Sequence, residues 1–182
     1  MAGRLIAIVG PSGVGKDSVM EALSQAHSGL GLVTRVITRP DGLGGEDYIP
    51  VTEAEFATRK ERGDFALSWP AHGLLYGIPK DDTKEIAGGR DLLVNLSRAV
   101  LPAAQEVFET LVVLRLTASR ETLAKRLGAR GRETPEDIQR RLERAQFPMP
   151  EGVTYTDLCN DGALEDTIQT ALALLYPEDA LT

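Results

Sequence analysis

The chain has 182 residues, 42% hydrophobic and 26% charged, a composition that predicts one folded domain and excludes an intrinsically disordered chain. Its 20 Lys+Arg against 27 Asp+Glu leave a formal net charge of −7, which argues against nucleic-acid binding, where phosphate neutralisation dominates affinity. The single Cys159 excludes an internal disulfide framework and a multi-cysteine zinc site.

Leu5-Ile6-Ala7-Ile8-Val9 is a continuous apolar run rich in β-branched side chains, the pattern of a strand covered on both faces in a parallel sheet. No run approaches the ~18 apolar residues of a membrane span, and this one is too short for a secretory signal. The expected compartment is therefore the cytoplasm, with no membrane partner. Val19, Met20 and Leu23 recur at helical spacing, predicting a helix over 18–26 with His27 capping its C-terminal end. Residues 33–37 read as the second strand. Thr52 and Glu55 form a capping-box pattern, so a short helix is expected there, ending by Gly63.

Short β segments are expected around 65–69 and 74–78, with Phe65 and Trp69 in the core. Leu92-Leu93-Val94 and the run 111–116 are further buried strands. Each leads into a helix, with Pro102 at one helix start and Ser119 as the next N-cap. Thr134, Pro135, Glu136 and Asp137 open a helix reaching about Gln146. A strand over 153–159, with Cys159 buried in it, and a helix over 163–175 complete the pattern. Strand–helix alternation predicts an α/β domain whose parallel sheet carries helices on both faces. The stretch 38–83 breaks that rhythm and reads as an inserted lobe.

Gly10-Pro11-Ser12-Gly13-Val14-Gly15-Lys16 matches the P-loop pattern G-x-x-x-x-G-K, between the first predicted strand and the first helix. Glycines let successive backbone N–H groups turn inward around a phosphate, the helix behind presents its positive end, and Lys16 reaches the β/γ oxygens. Residues 10–18 are the candidate nucleotide-binding segment. The Ser/Thr that normally follows the lysine and touches Mg2+ is Asp17 here, with a hydroxyl one place later at Ser18. Two roles for Asp17 stay open, metal ligand and stabiliser of the helix N-terminus. The Asn-Lys-x-Asp motif of nucleotide switches is missing, which points to phosphoryl transfer between small molecules.

Positive charge is concentrated in one stretch, at Arg120, Arg126, Arg130, Arg132, Arg140, Arg141 and Arg144. Phosphoryl transfer is catalysed mostly by positioning and cationic stabilisation, which guanidinium groups on a closing segment supply. The competing reading is a solvated helix face paired with Glu136, Asp137 and Glu143, stronger for Arg140 and Arg144 than for Arg130. His72 is either a phosphate contact or a residue packed in a β segment. Glu46 and Asp47 are either partners for sugar hydroxyls or turn residues.

Together these motifs resemble the guanylate kinase family of P-loop kinases. The resemblance is carried by residues 10–16, by Thr38-Arg39 with Tyr48, by His72-Gly73 before Tyr76-Gly77, and by Arg126-Leu127, Arg130-Gly131 and Arg141-Leu142. It implies a nucleoside monophosphate kinase-like αβα fold with a five-stranded parallel sheet. It also implies a substrate lobe over about 38–83, a lid over about 126–147, and a core of 1–37, 84–125 and 148–182. MgATP is the implied donor. Arg39, Tyr48 and Tyr76 are implied to grip the acceptor's phosphate, and Arg126, Arg130 and Arg141 to face the nucleotide phosphates as catalytic groups with Lys16. Asn160-Asp161 falls where this fold often lines the adenine pocket. A Walker-B-type aspartate is not evident, because the strand containing Leu93 ends in Asn95.

Three departures bear on the acceptor. In guanylate kinases the segment around Phe65 carries a glutamate that reads guanine, whereas this chain has Leu67. The Ser/Thr after the Tyr-Gly pair is Ile78, and the lobe's second arginine falls near Gly42. Apolar side chains there leave guanine's polar edge unpaired, at ~1–3 kcal/mol per group. Lys16-Asp17-Ser18, Arg35-Val36-Ile37-Thr38-Arg39-Pro40, Gly45-Glu46-Asp47, Ala71-His72-Gly73-Leu74 and Arg130-Gly131-Arg132-Glu133 are similar to one branch, the ribose 1,5-bisphosphate phosphokinases of bacterial phosphonate catabolism. That resemblance implies ATP-dependent phosphorylation of ribose 1,5-bisphosphate to 5-phosphoribosyl 1-diphosphate, with Arg35, Arg39 and Arg98 as candidate walls for the second phosphate. A guanylate kinase and a non-catalytic binding module are the rival readings.

Overall fold

The computed structural model describes residues 2–40, 47–129 and 134–177. β1 (Leu5–Val9) is buried at every position. It is the middle strand of a five-stranded sheet in the order β2-β7-β1-β8-β9, formed with β2 (Leu30–Leu32), β7 (Asp91–Asn95), β8 (Leu111–Thr117) and β9 (Thr156–Cys159). Every pairing in it is parallel.

Alternation along β1 feeds two apolar layers. Ile6 and Ile8 face α1 (Lys16–Ala26), α5 (Arg120–Ala129), α6 (Pro135–Ala145) and α7 (Leu164–Leu175), through Leu23, Leu127, Leu142 and Ile168. Leu5, Ala7 and Val9 pack on the other side against Leu101 and Ala104 of α4 (Leu101–Val107), and against Leu67, Trp69 and Ile78. This is the three-layer α/β arrangement expected from the strand–helix alternation. Among the described residues no helix is long and apolar enough to cross a membrane.

The second sheet has the order β4-β3-β6-β5 and contains β3 (Arg35–Ile37), β4 (Tyr48–Pro50), β5 (Phe65–Ala71) and β6 (Leu74–Pro79). α2 (Glu53–Glu61) covers it, with Phe56 against Val36 and Phe65. The capping box expected from sequence is formed: Thr52 N–H donates to Glu55 Oε2 at 2.7 Å, and Glu55 N–H donates to Thr52 Oγ1 at 3.2 Å. Thr134 and Asp137 make the same arrangement at the start of α6, and Ser119 Oγ accepts from Thr122 N–H at the start of α5.

Several local expectations are corrected. Residues 33–37 are not one strand. The chain leaves the main sheet after β2, where Val33 N–H still donates to Leu93 O, and enters the second sheet as β3. The last strand is shorter than 153–159 and is an edge strand, so alternation buries Leu158 and leaves Cys159 exposed rather than buried. β4 and the short α3 (Lys84–Ala87) carried no recognised sequence signal. His27 does end α1, its N–H donating to Leu23 O, and its ring stacks on Tyr176 with centroids 4.1 Å apart.

Candidate active site

The loop between β1 and α1 turns on glycines held in the left-handed region, Gly13 at φ 85° and Gly15 at φ 94°, which glycine enters without steric penalty. Packing forbids a side chain as well: a Cβ on Gly15 would lie 2.8 Å from Asn160 Nδ2. Lys16 Nζ arches back over the loop and donates to Gly10 O at 3.0 Å and Pro11 O at 3.2 Å. The Val14 carbonyl accepts from Asn160 Nδ2 at 2.8 Å and from Arg126 Nη1 at 3.2 Å. Asn160 is buried, and its Oδ1 accepts from Thr167 Oγ1 at 2.9 Å. Arg141 Nη1 donates to Ser12 Oγ.

Lys16, Arg126 and Arg141, predicted from three separate segments, thus converge on one loop. Arg130, also predicted, lies outside the described residues, as do Gly42, Gly45, Glu46, Gly131, Arg132 and Glu133. Arg140 pairs with Asp137 of its own helix face, the solvated arrangement weighed for it from sequence.

Asp17, in the first turn of α1, accepts from Asn95 Nδ2 at 3.1 Å. From sequence Asn95 marks only the place of a missing acid; the structure makes it this carboxylate's partner. Among the described residues no three His, Cys, Asp or Glu side chains gather as a metal site. A lone carboxylate beside a phosphate loop fits Mg2+, which is commonly held by one or two carboxylates with substrate phosphates and water.

The second sheet and its flanking residues carry another set of cations. Arg39 lies over the Tyr48 ring, 4.2 Å from its centroid, and its Nε and Nη2 are buried without a hydrogen-bond partner among the described residues. Buried unpaired donors are costly, and an anion placed against these two would relieve that cost. Tyr48 donates its hydroxyl to Pro40 O at 2.7 Å. Arg35 is buried and lies 5.1 Å from the Tyr76 ring centroid, and Tyr76 stacks on Trp69 at 5.5 Å. Trp69 Nε1 donates to Ser97 Oγ at 3.2 Å. Arg98 is engaged at the end of α6, donating to the carbonyls of Phe147 and Arg144, the latter at 2.8 Å.

His72 occupies the turn between β5 and β6 with φ 53°. Burial, then the charges of Arg144, Arg141 and Lys16, push its imidazole below the ordinary histidine pKa. Beside the start of the loop, Gly10, Pro11, Leu116, Leu142 and Phe147 line a cavity of about 370 Å³.

The guanylate kinase family model matches residues 2–176. The chain belongs to the guanylate kinase family. Among curated members, ribose 1,5-bisphosphate phosphokinase from Ruegeria sp. (strain TM1040) is 51% identical over 98% of this chain and 94% of its own. The ribose 1,5-bisphosphate phosphokinase of Rhizobium etli (strain CIAT 652) is 42% identical over 95% and 89%. In fold, the chain is similar to a crystal structure of guanylate kinase from Anaplasma phagocytophilum, with a TM-score of 0.70 and 18% identity over 97% of this chain and 86% of that one.

In this guanylate kinase family member, the two lobe residues singled out from the sequence prove to be neighbours. Leu67 and Ile78 are cross-strand partners of β5 and β6, 7% and 0% exposed, and both belong to the apolar layer under β1.

Proposed function

We propose that the protein transfers the γ-phosphoryl group of ATP to the anomeric phosphate of ribose 1,5-bisphosphate, giving 5-phosphoribosyl 1-diphosphate and ADP. One observation carries the reading: the lobe keeps an unpaired buried guanidinium at Arg39 while Leu67 and Ile78 close the place where a base would be read. A pocket that grips phosphate without reading a base fits a phosphorylated sugar. The high identity to ribose 1,5-bisphosphate phosphokinases over nearly the whole chain supports the same reading.

In this reading the backbone amides of residues 10–16 and Lys16 hold the β- and γ-phosphates, and Arg126 and Arg141 lie against the loop to balance charge on the transferred group. Residues 126–147, with Arg130, form the lid, and the lobe over about 38–83 carries the acceptor. Arg39, Tyr48, Tyr76, Arg35 and Arg98 surround the acceptor's phosphates, Arg98 while also bonded to the end of α6. Asp17, oriented by Asn95, would be the residue that holds Mg2+. Mg2+ supplies neutralisation of the charge shared by the β- and γ-phosphates. An oxygen of the anomeric phosphate attacks Pγ, and the bond from Pγ to the β,γ-bridging oxygen breaks, that oxygen leaving with ADP. The nucleophile is already ionised near neutral pH, so the site needs no strong general base. The reaction takes place in the cytoplasm and involves neither nucleic acid nor membrane.

Phosphorus NMR of the protein with MgATP and ribose 1,5-bisphosphate tests the reaction. Loss of the sugar's C1 monophosphate signal, with diphosphate signals rising on the sugar, is the expected result. Hydrolysis of ATP with the sugar unchanged contradicts it.

A further inference from the structure

Asn160, directly after β9, and Thr167, on α7, are polar residues only 4% and 3% exposed. Their bonds form one chain. A carbonyl can only accept, so the Asn160 atom 2.8 Å from Val14 O is the amide nitrogen. That leaves Oδ1 facing Thr167 Oγ1 at 2.9 Å; an amide oxygen also only accepts, so the hydroxyl donates. Asn160 N–H donates to Thr117 O at 2.8 Å, which ties its backbone to the end of β8. A relay thus runs from α7, through the end of β9, to the phosphate loop.

The peptide unit at the end of this relay has two ways to face. Gly15 has φ 94°, and glycine adopts either sign of φ, so the Val14–Gly15 peptide can turn over at little local cost. In a trans peptide the C=O and N–H point to opposite sides, and no peptide bond among the described residues is cis. Val14 O is held on the side of Asn160 Nδ2 and of Arg126 Nη1, which donates to it at 3.2 Å. Gly15 N–H is thereby directed away from both. Of the two donors, Arg126 has a long flexible side chain that the proposed reaction draws to the phosphates. Asn160 is buried and held from behind by Thr167.

We propose that Asn160 and Thr167 are positioning residues for the donor nucleotide: they hold the Val14–Gly15 peptide so that Gly15 N–H donates to its phosphates. The inference rests on the kinase reading above, in which this loop binds ATP. Thr167 acts through Asn160, and Asn160 through the peptide. The donor is set before the phosphate arrives, so no binding energy is spent on turning the peptide.

The test combines calorimetric titration of the full chain with the Gly15 amide signal in proton–nitrogen NMR. In the wild type the Gly15 amide proton should move downfield when MgADP binds, as its hydrogen bond to phosphate forms. An unmoved signal in the MgADP complex would overturn the inference alone. Thr167→Val keeps the side chain's shape without the hydroxyl, and Asn160→Ala removes the amide. Each should weaken MgADP binding about tenfold, the loss of one hydrogen bond to a charged group, and reduce the Gly15 shift. Affinity for ribose 1,5-bisphosphate should stay at the wild-type value, a split that general loosening of the fold does not produce. Thr167→Ser keeps the hydroxyl and should restore both MgADP affinity and the shift.

Magnesium pyrophosphate, which carries no base, should lose affinity by the same factor as MgADP. A loss confined to MgADP would make Asn160 a contact of the base and overturn the inference. Wild-type MgADP affinity in both variants would do the same, as would a parallel loss for the sugar that Thr167→Ser fails to rescue. Failure of the wild type to bind MgADP would overturn the kinase reading, and the inference with it.

Discussion

Asn95, the last residue of β7, donates its side-chain amide to the Asp17 carboxylate at 3.1 Å, across 78 positions of sequence. The carboxylate thus sits on the helix after the phosphate loop, and the strand end supplies a neutral donor that fixes its orientation. The proposed metal role of Asp17 predicts that Asn95→Ala weakens Mn2+ binding in the ATP complex by about 10–100-fold, the usual effect of losing a partner that orients a ligand. Asp17→Ser should weaken it further. Electron paramagnetic resonance of Mn2+ reads this without turnover; unchanged affinity in Asp17→Ser would leave Asp17 as a stabiliser of the α1 N-terminus.

Arg39 predicts a conflict between stability and binding. Its Nε and Nη2 are buried without hydrogen-bond partners among the described residues, a burden on the folded protein that the proposed acceptor phosphate would relieve. Arg39→Met keeps much of the packing on Tyr48 and removes the charge. Thermal unfolding should show equal or slightly higher stability, up to about 1 kcal/mol. KM for the acceptor should rise at least tenfold, the ~1.5 kcal/mol of one charge-assisted hydrogen bond. A destabilised variant with wild-type KM would make Arg39 a structural residue.

At the opposite end of the sheet, Asp91 gives the expected pH response. It accepts from Arg4 Nη2 at 2.6 Å, from Arg4 N–H at 2.7 Å and from the Tyr176 hydroxyl at 2.8 Å. Burial alone would raise its carboxyl pKa, but these three donors hold it below the ordinary value, and burial with the Asp91 bond pushes the Tyr176 hydroxyl up to about 12. A depressed carboxyl contributes stability above its unfolded pKa, near ~4, and loses it as pH falls through the folded value. Asp91→Asn should therefore cost about 1.5–3 kcal/mol at pH 7, with the gap to wild type closing below about pH 4. Urea unfolding at a series of pH values checks this; a gap independent of pH contradicts it.

The parallel core was legible because its strands are short apolar runs and its helices announce themselves with caps such as Thr134 and Ser119. The loop was legible because its glycines serve a local backbone need. The switch between sheets at residues 33–35 was not, since Val33-Thr34-Arg35-Val36-Ile37 is uniformly suited to a strand and only tertiary pairing decides which sheet each end joins. β4 ends in Pro50, a poor strand residue tolerated because β4 is an edge strand. Distant side-chain pairs such as Asn95–Asp17 and Asn160–Val14 leave no periodic trace. His72 reads from sequence as a phosphate contact or as part of a β segment, whereas the structure places it, exposed, in the turn between β5 and β6.

The central claim is the identity of the acceptor, and competition between two acceptors tests it most directly. With MgATP at one concentration, kcat/KM for ribose 1,5-bisphosphate should exceed that for GMP by at least ~100-fold, the discrimination expected when two or more polar groups of guanine go unpaired against Leu67 and Ile78. A higher kcat/KM for GMP would contradict the account and make the protein a nucleotide kinase.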